Sequence, residues 1–383
     1  MSTTTPAGFR ASGVTAGLKP SGRPDVAIVI NDGPDHHAAA VFTTNRVEAA
    51  PVTWSRQVLA DGRADAVVLN SGGANACTGT QGFQDTHATA EHTAGALGVA
   101  AGDVVVCSTG LIGELLPMDT LSAGVTAAAG GLSTDGGGAA AEAIMTTDTV
   151  AKTSTATRGG WSVGGMAKGA GMLAPSLATM LVVVTTDAVT SPKDLDAALR
   201  EATRTTFERI DSDGCMSTND TVVVLASGAS GVAAEREELT EAIRAVCDDL
   251  ARQLIGDAEG AHHDIEIVVR GAASEDDGLE VARTIARNTL FKCAIFGQDP
   301  NWGRVLAAVG TTRAAFEPHE LDVAINGVTV CRGGGVGEDR SLVDLGPREV
   351  RVEVDLHAGS DTVTVWTNDL THDYVHENSA YST

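Results

Sequence analysis

A chain of 383 residues is too long for one average domain, so it forms about two domains or one large composite one, with a core that needs no staples. It is 43% hydrophobic and 20% charged with 44 glycines and only 3% aromatic residues, a balance that excludes a disordered chain. The 26 basic residues against 50 acidic ones leave a formal net charge of −24, which repels phosphate backbones and anionic lipid and so excludes nucleic acid and membrane surfaces as partners in favour of small molecules.

In chain order, the N-terminus Met-Ser-Thr-Thr-Thr-Pro-Ala-Gly-Phe-Arg has no apolar core of a signal peptide. No apolar run approaches the roughly 18 residues of a membrane span, and a cytoplasmic protein is expected. Short β-branched runs predict strands at residues 26–30, 66–69, 104–106, 180–186, 221–225, 265–269, 350–356 and 362–366. The patch at residues 136–141, three glycines then three alanines, reads as a loop running into a helix. Ser191 and Pro192 stand as N-cap and first residue of a helix that buries Leu195, Leu199, Ala202 and Phe207. Leu239, Ile243, Val246, Leu250 and Leu254 form one apolar stripe on a second helix ending near Gly256. Asn326-Gly327 suits the positive φ angles of a type I′ turn between alternating strands. The mixture is α/β or α+β, without an internal repeat. The six cysteines (Cys77, Cys107, Cys215, Cys247, Cys293, Cys331) show no CxxC pair and no zinc-like spacing, so they read as reduced, mostly buried small hydrophobes, and no metal is expected.

The informative stretch is Lys168-Gly-Ala-Gly-Met-Leu-Ala-Pro-Ser-Leu-Ala-Thr-Met-Leu181, where an irregular Gly/Pro segment switches at Thr179 into a strand-forming run. On patterning alone, Thr179 is a β-former. The stretch is nevertheless similar, nearly residue for residue, to the maturation motif of the ornithine acetyltransferase family, in which the chain cuts itself immediately before the motif threonine. Cys107-Ser-Thr-Gly-Leu-Ile-Gly-Glu-Leu-Leu-Pro-Met118, Ala143-Ile-Met-Thr-Thr-Asp-Thr149, Met216-Ser-Thr-Asn-Asp-Thr221, Asp299-Pro-Asn-Trp-Gly-Arg304 and Asn378-Ser-Ala-Tyr-Ser-Thr383 resemble further family blocks in family order. The resemblance covers essentially the whole chain.

It implies cleavage between Ala178 and Thr179, giving an α chain of residues 1–178 and a β chain of residues 179–383. The fold it implies is α/β, a two-lobed layered α/β sandwich of the ornithine acetyltransferase and DmpA-like type, assembled as a heterotetramer of two α and two β chains. The activity it implies moves an acetyl group from N-acetyl-L-ornithine to L-glutamate in arginine biosynthesis, with no metal or organic cofactor. Acetyl-CoA serves some members as a second donor, and no short motif here decides whether it does so for this chain.

The chemistry accounts for the residue types. A threonine hydroxyl is a weak nucleophile, whereas an α-amine with a reference pKa of about 7.7–8.0 is a base poised near neutral pH, and cleavage before Thr179 would create both on one residue. The tetrahedral intermediate needs fixed donors for its oxyanion, and the resemblance assigns these to the Thr109 hydroxyl and the Gly110 N–H. Read without it, Ser108-Thr109-Gly110 ends a strand and caps the next helix. The resemblance also implicates Thr146, Thr147, Lys168, Thr179, Glu259, Asn378 and Thr383 in substrate binding. An acidic surface repels anionic substrates, so a carboxylate site needs a local cation; Lys168 is assigned to the α-carboxylate that both substrates share, and Glu259 to the δ-ammonium of ornithine. The plain alternatives are solvated charges for Lys168 and Glu259 and a frayed terminus for Asn378 and Thr383.

Two departures stand out. His262-His263 replaces a common Thr-Lys, so a positive charge near Glu259 is absent or pH-dependent; adjacent residues leading into a strand point to opposite faces, which argues against a metal pair, and His36-His37 is read the same way. The run Asn70-Ser-Gly-Gly-Ala-Asn-Ala-Cys-Thr-Gly79 reads as a structural glycine-rich turn. Two rival functions are a self-processing aminopeptidase or amidase, in which water resolves the acyl-enzyme, and an uncleaved binding homologue.

Overall fold

A computed structural model of the chain describes residues 2–174 and 180–380. The chain divides into two compact units, one built from Met1–Glu208 with Cys215–Asp257 and the other from Arg209–Gly214 with Ala258–Ser382.

The first unit holds two sheets. Strands β1 (Phe9–Val14), β2 (Val26–Asn31), β4 (Ala66–Asn70) and β5 (Val104–Ser108) form one in that order; β3 (His37–Phe42), β9 (Thr221–Ala226), β8 (Leu181–Thr186), β7 (Trp161–Lys168) and β6 (Lys152–Arg158) form the other in that order. Because successive side chains alternate across a strand, Ala27, Val29, Val67, Leu69, Val105 and Cys107 face a core shared with Met166, Leu181, Val183, Val223 and Leu225 of the second sheet. Helices α1 (Ala50–Val58) and α4 (Gly137–Ala143) also contribute to that core. The intervening residues Val26, Ile28, Val68, Val104 and Val106 face the opposite way onto α2 (Gly79–Leu97) and α3 (Met118–Gly130). Burial on both faces explains why β2, β4 and β5 are continuous apolar runs. On the second sheet, α5 (Pro192–Thr205) and α6 (Arg236–Gly256) pack on each other, α5 against β3 and α6 against β6 and β7.

The second unit carries one sheet in the order β13 (Gly335–Val336), β12 (Val328–Arg332), β11 (Asp322–Ile325), β14 (Glu349–Asp355), β10 (Asp264–Ala272), β15 (Asp361–Asn368). Helices α7 (Glu275–Ala286), α8 (Thr289–Phe296) and α9 (Trp302–Val309) line one face, and α10 (His372–Ala380) ends the described chain. Here β14 alternates buried valines (Val350, Val352, Val354) with exposed or half-buried charges, the pattern of a sheet covered on one side.

All eight predicted strands are present, and so are both predicted helices. Ser191 caps α5 by accepting the Asp194 N–H, Leu195, Leu199, Ala202 and Phe207 are buried, and α6 ends at Gly256. Asn326 and Gly327 adopt φ of 47° and 83° in the β11–β12 turn. The sequence reading missed β1, β3, β6, β7 and the two-residue β13. In β7 the reason is its glycines: a Cβ on Gly164 would stand 2.2 Å from the Ser2 carbonyl oxygen, and one on Gly165 2.9 Å from Val246 of α6, so close packing has replaced β-forming side chains. The cysteine reading needs a correction, since only Cys107, Cys247 and Cys331 are buried while Cys77, Cys215 and Cys293 are exposed; all six are free. No helix among the described residues is long and apolar enough to cross a membrane.

Candidate functional site

Strand β5 ends at Ser108, and the next helix, α3, begins only at Met118, so Thr109 and Gly110 do not cap it. The turn is tied instead to the glycine-rich segment. The Thr109 N–H donates to the Asn70 carbonyl at 3.0 Å, the Gly73 N–H donates to the Thr109 carbonyl at 3.0 Å, and Ser108 Oγ donates to Asn70 Oδ1 at 2.6 Å. Asn70 Nδ2 closes the loop on the Gly73 carbonyl at 3.0 Å. Gly110 has a φ of 129°, and a Cβ there would stand 2.7 Å from the Gly73 nitrogen, so both its conformation and its close neighbour require glycine. The turn read as merely structural is therefore the support of the two expected oxyanion donors.

Lys168 is the last residue of β7 and sits opposite Leu181 of β8, which in turn sits opposite Thr221 of β9. Its Nζ donates to Thr109 Oγ1 at 3.2 Å, with Lys168 1% and Thr109 3% exposed, so neither is a solvated surface group. A hydroxyl that accepts this bond keeps its own proton for another acceptor, which is the orientation an oxyanion donor needs. The two residues come from different sheets, and no sequence spacing relates them.

Thr146 and Thr147 are half-buried and lie in the connection after α4. That connection is pinned from beneath: the Thr146 N–H donates to Asp148 Oδ2 at 2.9 Å, and Lys152 Nζ lies 2.6 Å from Asp148 Oδ1 and 2.6 Å from Asp257 Oδ2. Asp257 also accepts the N–H and hydroxyl of Thr149. Burial pushes the Asp148 carboxyl upward, but the charges of Lys168 and Lys152 and the Gly169 N–H outweigh this and hold it below the ordinary carboxylate range. Lys19 adds a cation, donating to the carbonyls of Met145 at 2.5 Å and Pro24 at 2.7 Å; burial, with Arg23 and Lys168 acting the same way against Asp25 and Asp148, lowers its pKa to about 8.

In the second unit, Glu259 is half-buried and its Oε2 accepts from Asn378 Nδ2 at 2.9 Å. Asn378 is held in α10, not frayed, and Gly260 makes this possible: its φ is 59°, and a Cβ on it would stand 2.2 Å from the Tyr374 nitrogen. Burial and then repulsion from Glu259 and Asp373 raise the pKa of the neighbouring Glu377. His262 and His263 diverge as expected, His262 exposed on Asp373 at 2.7 Å and His263 buried between Asp369 at 2.7 Å and the Leu345 carbonyl at 3.0 Å. His36 and His37 also part, toward Asp65 at 2.9 Å and the Thr190 carbonyl at 2.9 Å. Among the described residues no cluster of His, Cys, Asp or Glu stands ready for a metal ion.

The described residues thus hold Thr109, Gly110 and Lys168 together, with Thr146 and Thr147 over a buried ionic support in the same unit, and Glu259 with Asn378 in the other. Ala178, Thr179 and Thr383 lie outside the described residues. Sequence reasoning missed Lys19, Asp148, Lys152, Asp220 and Asp257. Asp148 and Asp220 fall inside two of the matched blocks, and Lys152 stands four residues from Asp148, which were the available signals; the contacts of Lys19 with Met145 and of Asp257 with Lys152 span 126 and 105 residues and no local pattern encodes them.

Comparison with known proteins bears on what such an arrangement does. A family model described as the ArgJ family matches residues 10–383. The arginine biosynthesis bifunctional protein ArgJ of Streptomyces coelicolor is 68% identical over 382 residues, covering 100% of both chains, and that of Thermobifida fusca is 65% identical over 383 residues, again covering 100% of both. Among solved structures, ornithine acetyltransferase from Mycobacterium tuberculosis, complexed with ornithine, is 56% identical over 47% of this chain and 96% of that chain, with a TM-score of 0.45. The Bacillus halodurans bifunctional protein is 35% identical over 52% of this chain and 98% of that one, with a TM-score of 0.49.

Proposed function

The chain belongs to the ArgJ family, and we propose that it cuts itself before Thr179 and moves the acetyl group of N-acetyl-L-ornithine to L-glutamate in arginine biosynthesis. The observation that carries this reading is the buried Lys168–Thr109 hydrogen bond, which joins the end of β7 to the turn after β5. In this reading Thr179 Oγ attacks the acetyl carbonyl while the Thr179 α-amine takes the hydroxyl proton. Thr109 and Gly110 hold the oxyanion; the C–N bond then breaks as the α-amine passes the proton to the departing ornithine nitrogen. Glutamate attacks the acetyl ester by the reverse sequence and leaves as N-acetylglutamate. No metal or organic cofactor enters these steps.

The bifunctional naming of the relatives supports acetyl-CoA as a second donor to glutamate. Cleavage would leave fragments 1–178 and 179–383, and a heterotetramer of two of each is the assembly we assign, measurable as the native mass in solution. The test is a paired assay. The purified protein with N-acetyl-L-ornithine and L-glutamate should give N-acetylglutamate and ornithine with ping-pong kinetics, and acetyl-CoA should replace the first donor. Release of acetate to water without dependence on glutamate would make the protein an amidase instead.

Lys168 and Glu259 answer separable demands. Donor and acceptor both bring an α-carboxylate, so Lys168→Met should weaken both half-reactions about tenfold to a hundredfold. Only ornithine brings a δ-ammonium, so Glu259→Gln should raise KM for N-acetylornithine about tenfold or more and KM for glutamate much less. Steady-state kinetics with each substrate varied in turn read the difference, on enzyme first shown to be cleaved. An equal effect on glutamate would mean that Glu259 binds a group common to both substrates.

A further inference from the structure

The first unit contains an acid that the steps above leave unused. Asp220 immediately precedes β9 and is 0% exposed. Its Oδ1 accepts the Met180 N–H at 3.1 Å, the side chain and backbone of Ser217 also act on the carboxyl, and Oδ2 makes no well-formed hydrogen bond among the described residues. The backbone on either side is fixed by the Thr43 N–H, which donates to the Asp220 carbonyl at 2.9 Å, and by the Thr221 N–H, which donates to the Met180 carbonyl at 3.1 Å. A buried carboxyl oxygen without a well-formed hydrogen bond costs folding free energy and so calls for a reason.

Covalent connectivity supplies one. Met180 is the residue after Thr179, and successive Cα atoms are about 3.8 Å apart, so the acid that grips the Met180 N–H is one residue from the atom that cleavage would turn into an α-amine. We infer that Asp220 is the positioning residue for that amine, holding the start of β8 with one carboxyl oxygen and stabilising the new ammonium with the other. This rests on the reading that Thr179 becomes N-terminal.

Burial drives the Asp220 carboxyl well above its ordinary pKa; the Met180 N–H, the charge of Lys168 and contacts with Ser217 oppose this and do not cancel it. Burial favours the protonated form of such an acid while residue 179 is still a peptide link. Hydrolysis adds water across the Ala178–Thr179 bond and leaves a carboxylate on Ala178 and an amine on Thr179. The Asp220 proton can then pass to that amine and give a carboxylate–ammonium pair, with no further reactant. Lys168 is a charged group that acts on Asp220, and it opposes the ammonium, which gives the carboxylate the task of keeping the amine basic.

The experiment compares the wild type with Asp220→Asn and Asp220→Glu. It measures the rate of cleavage by denaturing mass spectrometry, the thermal melt, and kcat and KM for acetyl transfer against pH. Because only the neutral amine acts as base, activity rises with pH through its pKa. Removing the neighbouring negative charge should move this acid limb to lower pH by about one unit or more, with kcat down about tenfold and KM little changed. A merely structural role would lower activity at every pH and leave the limb in place, which overturns the inference. So does Asp220→Asn cleavage at the wild-type rate with an unmoved limb. If Asp220→Asn does not melt cooperatively, Asp220→Glu decides, since it keeps the charge but displaces it: a shifted acid limb on the cleaved enzyme supports the role toward the amine, and a wild-type pH profile overturns it. An uncut wild-type chain would sink the reading of Thr179 itself, whereas a cut wild type beside an indifferent Asp220→Asn sinks only the role of Asp220.

Discussion

Thr179→Ala is expected to yield one intact, inactive polypeptide of residues 1–383 where the wild type yields two fragments, 1–178 and 179–383. In the proposed mechanism the same hydroxyl is required twice. In maturation it attacks the Ala178 carbonyl, shifting the acyl group from nitrogen to oxygen, and water then hydrolyses the ester. In turnover it attacks the acetyl carbonyl. Alanine has no nucleophile for either step, and without cleavage the α-amine that acts as base never exists. The uncut Thr179→Ala chain should still fold, because β7 and β8 pair along residues 163–168 and 181–186 through backbone groups that the substitution does not touch. Denaturing mass spectrometry and a thermal melt read both outcomes. A cleaved Thr179→Ala protein would end the self-processing mechanism.

The second large effect concerns Thr109→Ala, which should lower acetyl transfer about 10²- to 10³-fold, chiefly in kcat, and slow maturation as well. The hydroxyl is fixed before reaction by the Lys168 ammonium at 3.2 Å and by a backbone locked to Asn70 and Gly73. In the proposed role it needs no reorganisation when negative charge appears, and its bond to the oxyanion strengthens only in the transition state. Thr109→Ala also takes one acceptor from a buried lysine, so a loss of about 1–3 kcal/mol of stability should accompany the kinetic defect. Thr109→Ser restores the hydroxyl and should recover most of kcat if the donor is what matters. A change confined to KM would place the oxyanion hole elsewhere.

The two residues illustrate different kinds of legibility. Thr179 was legible as a candidate because the role proposed for it depends on chain chemistry: the bond to be cut and the nucleophile that would cut it are adjacent, so a contiguous motif encodes both. Thr109 was readable as a residue but not as an environment. What holds it is Asn70, Gly73 and Lys168, at separations of 39, 36 and 59 residues, of which only the last is a side-chain contact to Thr109 itself.

The sequence by itself determined the strands with dense β-branched runs, the helices with caps and stripes, the β11–β12 turn and the order of the motif blocks, because each of these is a local free-energy preference of neighbouring residues. Tertiary structure decided the rest. Strand β7 exists because its glycines let α6 and the N-terminal segment approach, a gain that appears only once those elements are in place. Lys168 is a buried partner of Thr109 because two sheets share one core, and Asp220 meets Met180 because β8 and β9 run parallel in register. Interactions between charges and hydrogen-bonding groups depend on distance in space and on exclusion of water, and neither quantity exists along an unfolded chain.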